Sequence, residues 1–198
     1  TDIVLNNKTH KHLYDEIIST IESISDSDLI EHQISKSNHG IKSSLASTIN
    51  ALLKERLINL GWSPESPIFQ GENYTNDKIW RLDFAKDSIS VEVAFNHGEA
   101  IPWNLLKPVL ASSVNNVKKA IDTEVGIYIT CTKSMKTAGC FDNAVGEYEK
   151  VLRYLVPLST VLPVPILVIG LEAPETFKLK PKYGPGSSKE TWGGVVKK

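Results

Sequence analysis

Two carboxylates, Asp83 and Glu92, lie nine residues apart in a stretch whose pattern predicts a strand, a turn and a second strand. In the second strand, Ile89, Val91 and Val93 alternate with polar or smaller residues, which is typical of a strand with one apolar face. A carboxylate on such a strand is unfavourable unless a partner compensates its charge. Mg²⁺ is a suitable partner, because it binds one or two carboxylates together with waters and phosphate oxygens. The pattern is therefore compatible with a metal site that activates water for hydrolysis.

Each acid also has a simpler interpretation. Asp83 could be a solvent-exposed turn residue, which is the more natural interpretation of the nearby Asp87. Glu92 could be a charge that protects an edge strand from aggregation. The spacing of the two acids does not choose between these interpretations and a metal site.

The hairpin resembles the active-site hairpin of the BglII/BstYI group of restriction endonucleases, within the PD-(D/E)XK nuclease superfamily. The matching residues are 83–87 and 91–95. Similarity to the group's other core elements follows in the same order along the chain, at a helix within 52–62 and at strands within 124–130 and 162–171. The resemblance covers roughly residues 45–172. It implies an α/β fold with the restriction-endonuclease-like core, a mixed central β-sheet flanked by helices.

A type II restriction endonuclease is the function that this resemblance implies. It would hydrolyse phosphodiester bonds of duplex DNA at a short palindromic site, with Mg²⁺ held by Asp83 and Glu92. A homodimer is expected, because two-fold protein symmetry suits a palindrome. A cognate methyltransferase and a cytoplasmic location in a bacterium or archaeon follow from the same resemblance. The alternatives are a repair nuclease of the same fold, a DNA-binding protein without catalysis, and an interaction domain without a DNA role.

Ala94 departs from the pattern of the group. The superfamily normally has Lys two residues after the second acid, and this subgroup often has Gln or Glu there. Ala94 can neither bind a metal nor position a water. Either another residue supplies that group, or this chain is an inactivated variant. Glu55 completes the predicted catalytic set, because related nucleases place a further acid on the preceding helix; Glu65 is a weaker competitor, and a solvated charge is the simpler interpretation.

Residues on the loops that follow the core strands are candidates for DNA contact. Asn96 and His97 come directly after the predicted strand that carries the second acid, where the family's turn contributes to base contact, and an Asn side chain can pair with adenine. The loop after strand 125–131 and the Lys-rich C-terminal segment supply the others, which are Lys133, Ser134, Lys136, Thr137, Asn143, Lys182 and Lys189. A solvated polar loop is the alternative interpretation.

The composition is ordinary for a globular protein, with 41% hydrophobic and 23% charged residues among 198. A net charge of −1 argues against non-specific DNA packaging, but not against an enzyme that has basic residues only at its cleft. No apolar run reaches membrane-spanning length and no signal peptide opens the chain, so no membrane association is expected. Cys131 and Cys140 form no metal-ligand pattern and indicate a reduced cytosolic pair.

One catalytic domain is predicted for residues 1–172. A Lys-, Gly- and Pro-rich arm at 173–198 is expected to extend away from the core and to be available for DNA contact. Periodicity predicts helices at 10–25, 42–60, 103–120 and 142–156, and strands near 79–84, 88–95, 125–131 and 164–171. Pro64 and Pro67 predict a loop. The alternation of strands and helices in the second half indicates a mixed α/β sheet.

Overall fold

The computed structural model describes residues 6–37, 44–71, 74, 78–113, 117–183 and 190–198, apart from the side chains of 36–37, 181–183 and 190–193. The helices in these ranges are α1 (Lys8–Ser23), α2 (Asp26–Ser37), α3 (Ala46–Asn59), α4 (Ile101–Leu110), α5 (Lys133–Ala138) and α6 (Tyr148–Leu158). The strands are β1 (Ser63–Pro67), β2 (Arg81–Lys86), β3 (Ile89–Val93), β4 (Val125–Cys131), β5 (Ile166–Leu171), β6 (Phe177–Tyr183) and β7 (Glu190–Lys197). None of these helices is both long enough and apolar enough to cross a bilayer.

A five-stranded mixed sheet in the order β1-β2-β3-β4-β5 forms the centre of the fold. β1, β2 and β3 pair antiparallel, whereas β3, β4 and β5 pair parallel. Because the three parallel strands run in the same direction, the loops that follow them meet at one edge of the sheet, where α/β proteins commonly bind ligands. The α/β class and the mixed central sheet flanked by helices, predicted from the sequence, are confirmed.

Helices cover both faces of this sheet. All seven residues of β4 are buried, which is typical of a parallel strand between two helical layers. α1, α2 and α3 pack on one face, in a cluster that includes Ile17 of α1 and Ile127 of β4. α4 and α6 pack on the other face, where Leu105 of α4 contacts the cluster around Tyr128 of β4. The two neighbours Ile127 and Tyr128 thus belong to opposite layers, as strand geometry requires.

A capping side chain sets the start of α1, and a glycine sets the end of α3. α1 begins where Asn7 Oδ1 accepts hydrogen bonds from the backbone N–H groups of Thr9 and His10, at 3.0 and 3.2 Å. α3 ends just before Gly61, whose φ of 84° lies in the left-handed region that glycine adopts without strain. The predicted helix end near residue 60 is therefore confirmed, and β1 follows at the edge of the sheet.

Several elements differ from those predicted. β1 occupies Ser63–Pro67, where the two prolines predicted a loop; it pairs only with β2, and an edge strand tolerates prolines because its outer side needs no donors. α4 ends at Leu110 instead of near residue 120, and α6 begins at Tyr148 instead of near residue 142. The predicted loop after β4 contains the short helix α5, whose start is capped by the Thr132 hydroxyl accepting from Met135 N.

The C-terminal segment differs from the extended arm that its composition predicts. β6 and β7 form a two-stranded antiparallel sheet, and Phe177 and Leu179 are buried in the main core. Between and after them, Lys178 and Lys180 are exposed, because alternate residues of a strand face opposite sides. The lysines therefore mark the solvent side of a strand that packs on the core. The division into a catalytic domain and an arm at residue 172 stays a prediction.

Candidate active site

Asp83 and Glu92 lie opposite each other on the neighbouring strands β2 and β3. The register pairs Phe84 with Val91, so the next pair along the hairpin is Asp83 with Glu92, on one face of the sheet. Asp83 Oδ2 accepts a hydrogen bond from the backbone N–H of Val93 at 2.7 Å. This bond holds the Asp83 carboxylate beside the carboxyl end of β3.

Glu92 is deeply buried, with 2% of its surface exposed. Its Oε2 accepts a hydrogen bond from Lys107 Nζ at 2.7 Å, and Lys107 reaches it from α4, with 13% of its own side chain exposed. The other carboxyl oxygen, Oε1, is buried and has no hydrogen-bond partner among the described residues. Because an unpartnered buried oxygen is costly, Oε1 is the atom to which a cation would bind most favourably.

Burial disfavours the ionised forms of both acids. Burial and the neighbouring Asp83 carboxylate raise the pKa of Glu92 to about 8, and outweigh the opposing effect of Lys107. Burial likewise raises the pKa of Asp83, against the hydrogen bond from Val93. A bound cation favours ionised carboxylates. Binding of a cation would therefore lower the pKa values of both buried acids and stabilise their ionised forms.

The donor set of this site fits Mg²⁺. Two carboxylates are hard oxygen ligands, and Mg²⁺ completes its octahedral shell with waters and phosphate oxygens of a substrate. The described part of the chain contains no group of three or more His, Cys, Asp or Glu side chains arranged to hold a metal. The ligands from the protein would therefore be Asp83 and Glu92, the latter through its unpartnered Oε1.

A cleft of about 100 Å³ opens beside Asp83. Its lining includes Lys54 of α3 and Glu65 of β1, and the charge of Glu65 contributes to the raised pKa of Asp83, after burial as the main cause. Glu65 has a φ of 49°, an uncommon backbone conformation for a residue with a side chain. Glu55 is exposed on α3 and is not among the residues that line the cleft. Of the two further acids considered from the sequence, Glu65 is the better placed.

Ala94 lies on the same face as Glu92 and is 4% exposed. It packs in a cluster with Ile101 and Leu105 of α4, so a Lys or Gln side chain at this position would displace the helix. Gly126 of β4 allows α4 to approach this closely, because a Cβ atom there would lie 2.9 Å from the ring of Pro108. The helix that carries Lys107 thus covers the side chain of Ala94.

The loops predicted to contact DNA meet at the carboxyl edge of the sheet. Asn96 and His97 are exposed three and four residues beyond the end of β3. Backbone hydrogen bonds join this turn to the loop before α6, from Gly98 N–H to Ala144 O at 2.7 Å and from Gly146 N–H to Asn96 O at 3.0 Å. Asn143 is exposed on that second loop. The fold therefore brings Asn96, His97 and Asn143 to one surface.

The other DNA candidates are placed less uniformly. Three of the four on α5 are exposed, namely Lys133, Ser134 and Thr137. Lys136 instead donates a hydrogen bond from Nζ to Asn143 O at 2.7 Å and forms an ion pair with Glu147 at 3.2 Å. It holds the Asn143 loop in place, so a contact with DNA would require these bonds to be exchanged. The side chain of Lys182 and all of Lys189 lie outside the described residues.

Lys107 is the residue beside the two acids that the sequence analysis missed. It is the only charged residue of α4, whose other positions are apolar except for Asn104. A lone lysine on a helix that packs against a sheet is unfavourable without a partner. The position of a lysine on an otherwise apolar helix therefore indicates, from the sequence, that it has a partner. Only the structure shows that this partner is Glu92.

Comparisons with known proteins identify one family. The family model described as restriction endonuclease BglII/BglIII matches residues 2–171. A crystal structure of restriction endonuclease BglII complexed with a DNA 16-mer has a TM-score of 0.62 and 21% identity, over 94% of this chain and 92% of that one. Free BglII gives a TM-score of 0.50 and 20% identity, over 94% and 86%. No curated protein matches the chain at a significant level.

Proposed function

The chain belongs to the restriction endonuclease BglII/BglIII family, and from this membership we propose a metal-dependent mechanism of DNA cleavage. The protein is a type II site-specific deoxyribonuclease, as the resemblance of its hairpin predicts. Its proposed reaction is the hydrolysis of phosphodiester bonds in duplex DNA at a short palindromic site, with Mg²⁺ as cofactor. One observation carries this proposal: two carboxylates oppose each other across β2 and β3, and a buried oxygen of Glu92 has no partner among the described residues.

Asp83 and Glu92 are the proposed metal ligands. When bound, Mg²⁺ would lower the pKa of a coordinated water and neutralise charge on the reacting phosphate. The two acids would ionise as the cation binds, and their places on paired strands set where the scissile phosphate must lie. The backbone N–H of Val93 holds the Asp83 carboxylate in one orientation, so the site is arranged before DNA binds.

The surface formed by Asn96, His97 and Asn143 is the proposed site of base contact. Its position at the carboxyl edge, beside the end of β3 that carries Glu92, supports this proposal. Amide side chains suit the edges of bases, whereas lysines suit phosphates. The phosphate contacts would come from the remaining candidates, which are Lys133, Ser134, Lys136, Thr137, Lys182 and Lys189.

A homodimer is proposed as the active form, and exposed apolar side chains support it. α4 and α6 pack together, and each exposes large apolar residues, namely Leu106 on α4 and Leu152 and Val156 on α6, the last 76% exposed. Such side chains are typical of surfaces that a partner covers. We also propose a cytoplasmic location in a bacterium or archaeon and a cognate methyltransferase, because an enzyme that cuts short sites must spare the DNA of its own cell.

Digestion of a plasmid of known sequence tests this function. The purified chain should yield discrete fragments in Mg²⁺ and none in Ca²⁺ or with a chelator, and sequencing the fragment ends would give the site. Cleavage that persists with the chelator would contradict the metal mechanism. A discrete shifted complex in Ca²⁺ without any cutting in Mg²⁺ would instead favour a DNA-binding protein that lacks catalysis, the alternative that Ala94 raises.

A further inference from the structure

The helix α4 contributes two features to the site: apolar side chains that cover Ala94, and a lysine that contacts Glu92. Over position 94 it places Ile101 and Leu105, which pack with the buried methyl group of Ala94. Further along the same helix, Lys107 Nζ lies 2.7 Å from Glu92 Oε2. Because Ala94 is small, α4 can pack closely over it. The same helix then places Lys107 beside Glu92.

We propose that Lys107 is a positioning residue of the active site and supplies the cationic group that position 94 lacks. Through Oε2 it fixes the Glu92 carboxylate, so that the unpartnered Oε1 is presented to the metal, and it keeps a positive charge beside the reacting phosphate. This inference rests on the proposed function. It implies that Ala94 is a native feature of an active site, since Ala94 is buried in a cluster with Ile101 and Leu105 of α4.

Three observations support this role for Lys107. Its hydrogen bond occupies only one of the two oxygens of Glu92, so the metal and the ammonium group can use the carboxylate together. Its charge also acts on Asp83, which places it near both acids. Its side chain is 13% exposed, so it lies at the margin of the core and not deep within it. A fixed positive group at such a place stabilises charge that develops during the reaction.

A simpler role must be distinguished from this one. Lys107 could serve only to neutralise Glu92 while no metal is bound. In that case Mg²⁺ would take over the neutralisation, and the lysine would be dispensable for cleavage at saturating metal. The two roles therefore predict different rates for a variant in which the ammonium group is absent.

Cleavage by Lys107→Met and Lys107→Arg at saturating Mg²⁺ provides the first test. We expect Lys107→Met to cut on the order of 100-fold more slowly than the native chain, and Lys107→Arg, which keeps the charge, to recover part of that loss. Binding of duplex DNA in Ca²⁺ should stay within about threefold of native, as for other changes that affect only the transition state. Lys86→Met is the matched control, because it removes a partly buried lysine from another carboxylate, Glu16, at 2.8 Å.

The ammonium group itself provides a second test that does not depend on activity. In protein labelled with ¹⁵N-lysine, the ammonium resonance that is lost in Lys107→Arg should persist when Ca²⁺ is added to the native chain. Loss of that resonance on adding Ca²⁺ would show that the metal displaces Lys107 from Glu92, and would overturn the inference.

The outcomes separate this inference from the function on which it rests. Equal cleavage by the native chain and Lys107→Met would overturn the role of Lys107 while leaving the nuclease proposal intact. A native chain that binds DNA in Ca²⁺ but does not cut it in Mg²⁺ would overturn both, because Lys107 would then not compensate for Ala94.

Discussion

Replacement of Glu92 by Gln should stabilise the metal-free protein at about pH 6, and by about 2 kcal/mol more at about pH 8. Burial and the Asp83 carboxylate raise the pKa of Glu92 to about 8 in the folded chain, from an ordinary value of 4.5. Between these values the folded chain holds one proton more than the unfolded chain. The free energy of unfolding therefore falls as pH rises, by at most about 1.4 kcal/mol per pH unit.

The size of the effect follows from the same linkage. Integrated from about pH 6 to about pH 8, the native chain should lose about 2 kcal/mol of stability at this one group. Gln cannot ionise, so the variant should not show this loss. Gln resembles protonated Glu in both the folded and the unfolded chain. Because Glu92 is already ionised in the unfolded chain at about pH 6, the variant should be more stable than native by about 2 kcal/mol at that pH and by about 4 kcal/mol at about pH 8.

Urea unfolding in the presence of a chelator, followed by tryptophan fluorescence, measures these free energies. Trp62 is buried in the main core, so its emission reports loss of that core. Glu147→Gln is a suitable control: burial acts to raise the pKa of Glu147, but hydrogen bonds from its own backbone and Lys136 outweigh it and lower that pKa. A lowered pKa stabilises the folded chain above the ordinary value, so this variant should be less stable than native by a similar amount at both pH values.

The opposite order for Glu92→Gln would refute the reasoning. If the variant were less stable than native at about pH 8, Glu92 would be ionised without metal and stabilised by Lys107. Lys107 alone would then neutralise the charge of Glu92, and the site would gain little from binding a further cation.

Addition of Mg²⁺ should stabilise the native chain but not the Glu92→Gln variant, because only the native chain has both carboxylates to bind it.

Three further variants test other parts of the structure. Asp83→Asn should lower Mg²⁺-dependent cleavage by more than about 100-fold while a gel shift in Ca²⁺ still detects DNA binding; near-native cleavage would remove Asp83 from the site. Phe177→Ala should cost about 3–5 kcal/mol in urea unfolding, whereas a loss below about 1 kcal/mol would mean that the C-terminal hairpin does not stabilise the core. Val156→Asp should convert the proposed dimer to a monomer in sedimentation; an unchanged mass would place the interface elsewhere.

The central strands could be predicted because their signals are local. The run Val125–Cys131 is apolar except for Thr130 and matches β4 at both ends, since a strand buried on both faces has few polar residues. The alternation around Glu92 identified β3 in the same way. The hairpin made both acids candidates, because neighbouring strands of a hairpin place such residues side by side, and its resemblance to the family supplied their predicted role as metal ligands.

The remaining features depend on contacts between distant parts of the chain. Ser63–Pro67 pairs with β2 despite its prolines, because the sheet edge can accept a strand that lacks donors on one side. Phe177 is in the core although its neighbours in sequence are polar. Lys107 meets Glu92 only because Gly126 lets α4 approach the sheet. No local pattern reports such approaches, so these three features required the structure.

The position of the metal is the central claim, and an anomalous difference map tests it most directly. Crystals of the native chain with duplex DNA and Mn²⁺ in place of Mg²⁺ should show one strong manganese peak between the carboxylates of Asp83 and Glu92, within bonding distance of Glu92 Oε1. A manganese peak elsewhere, or none beside these acids while DNA occupies the site, would contradict the assignment of both residues as metal ligands.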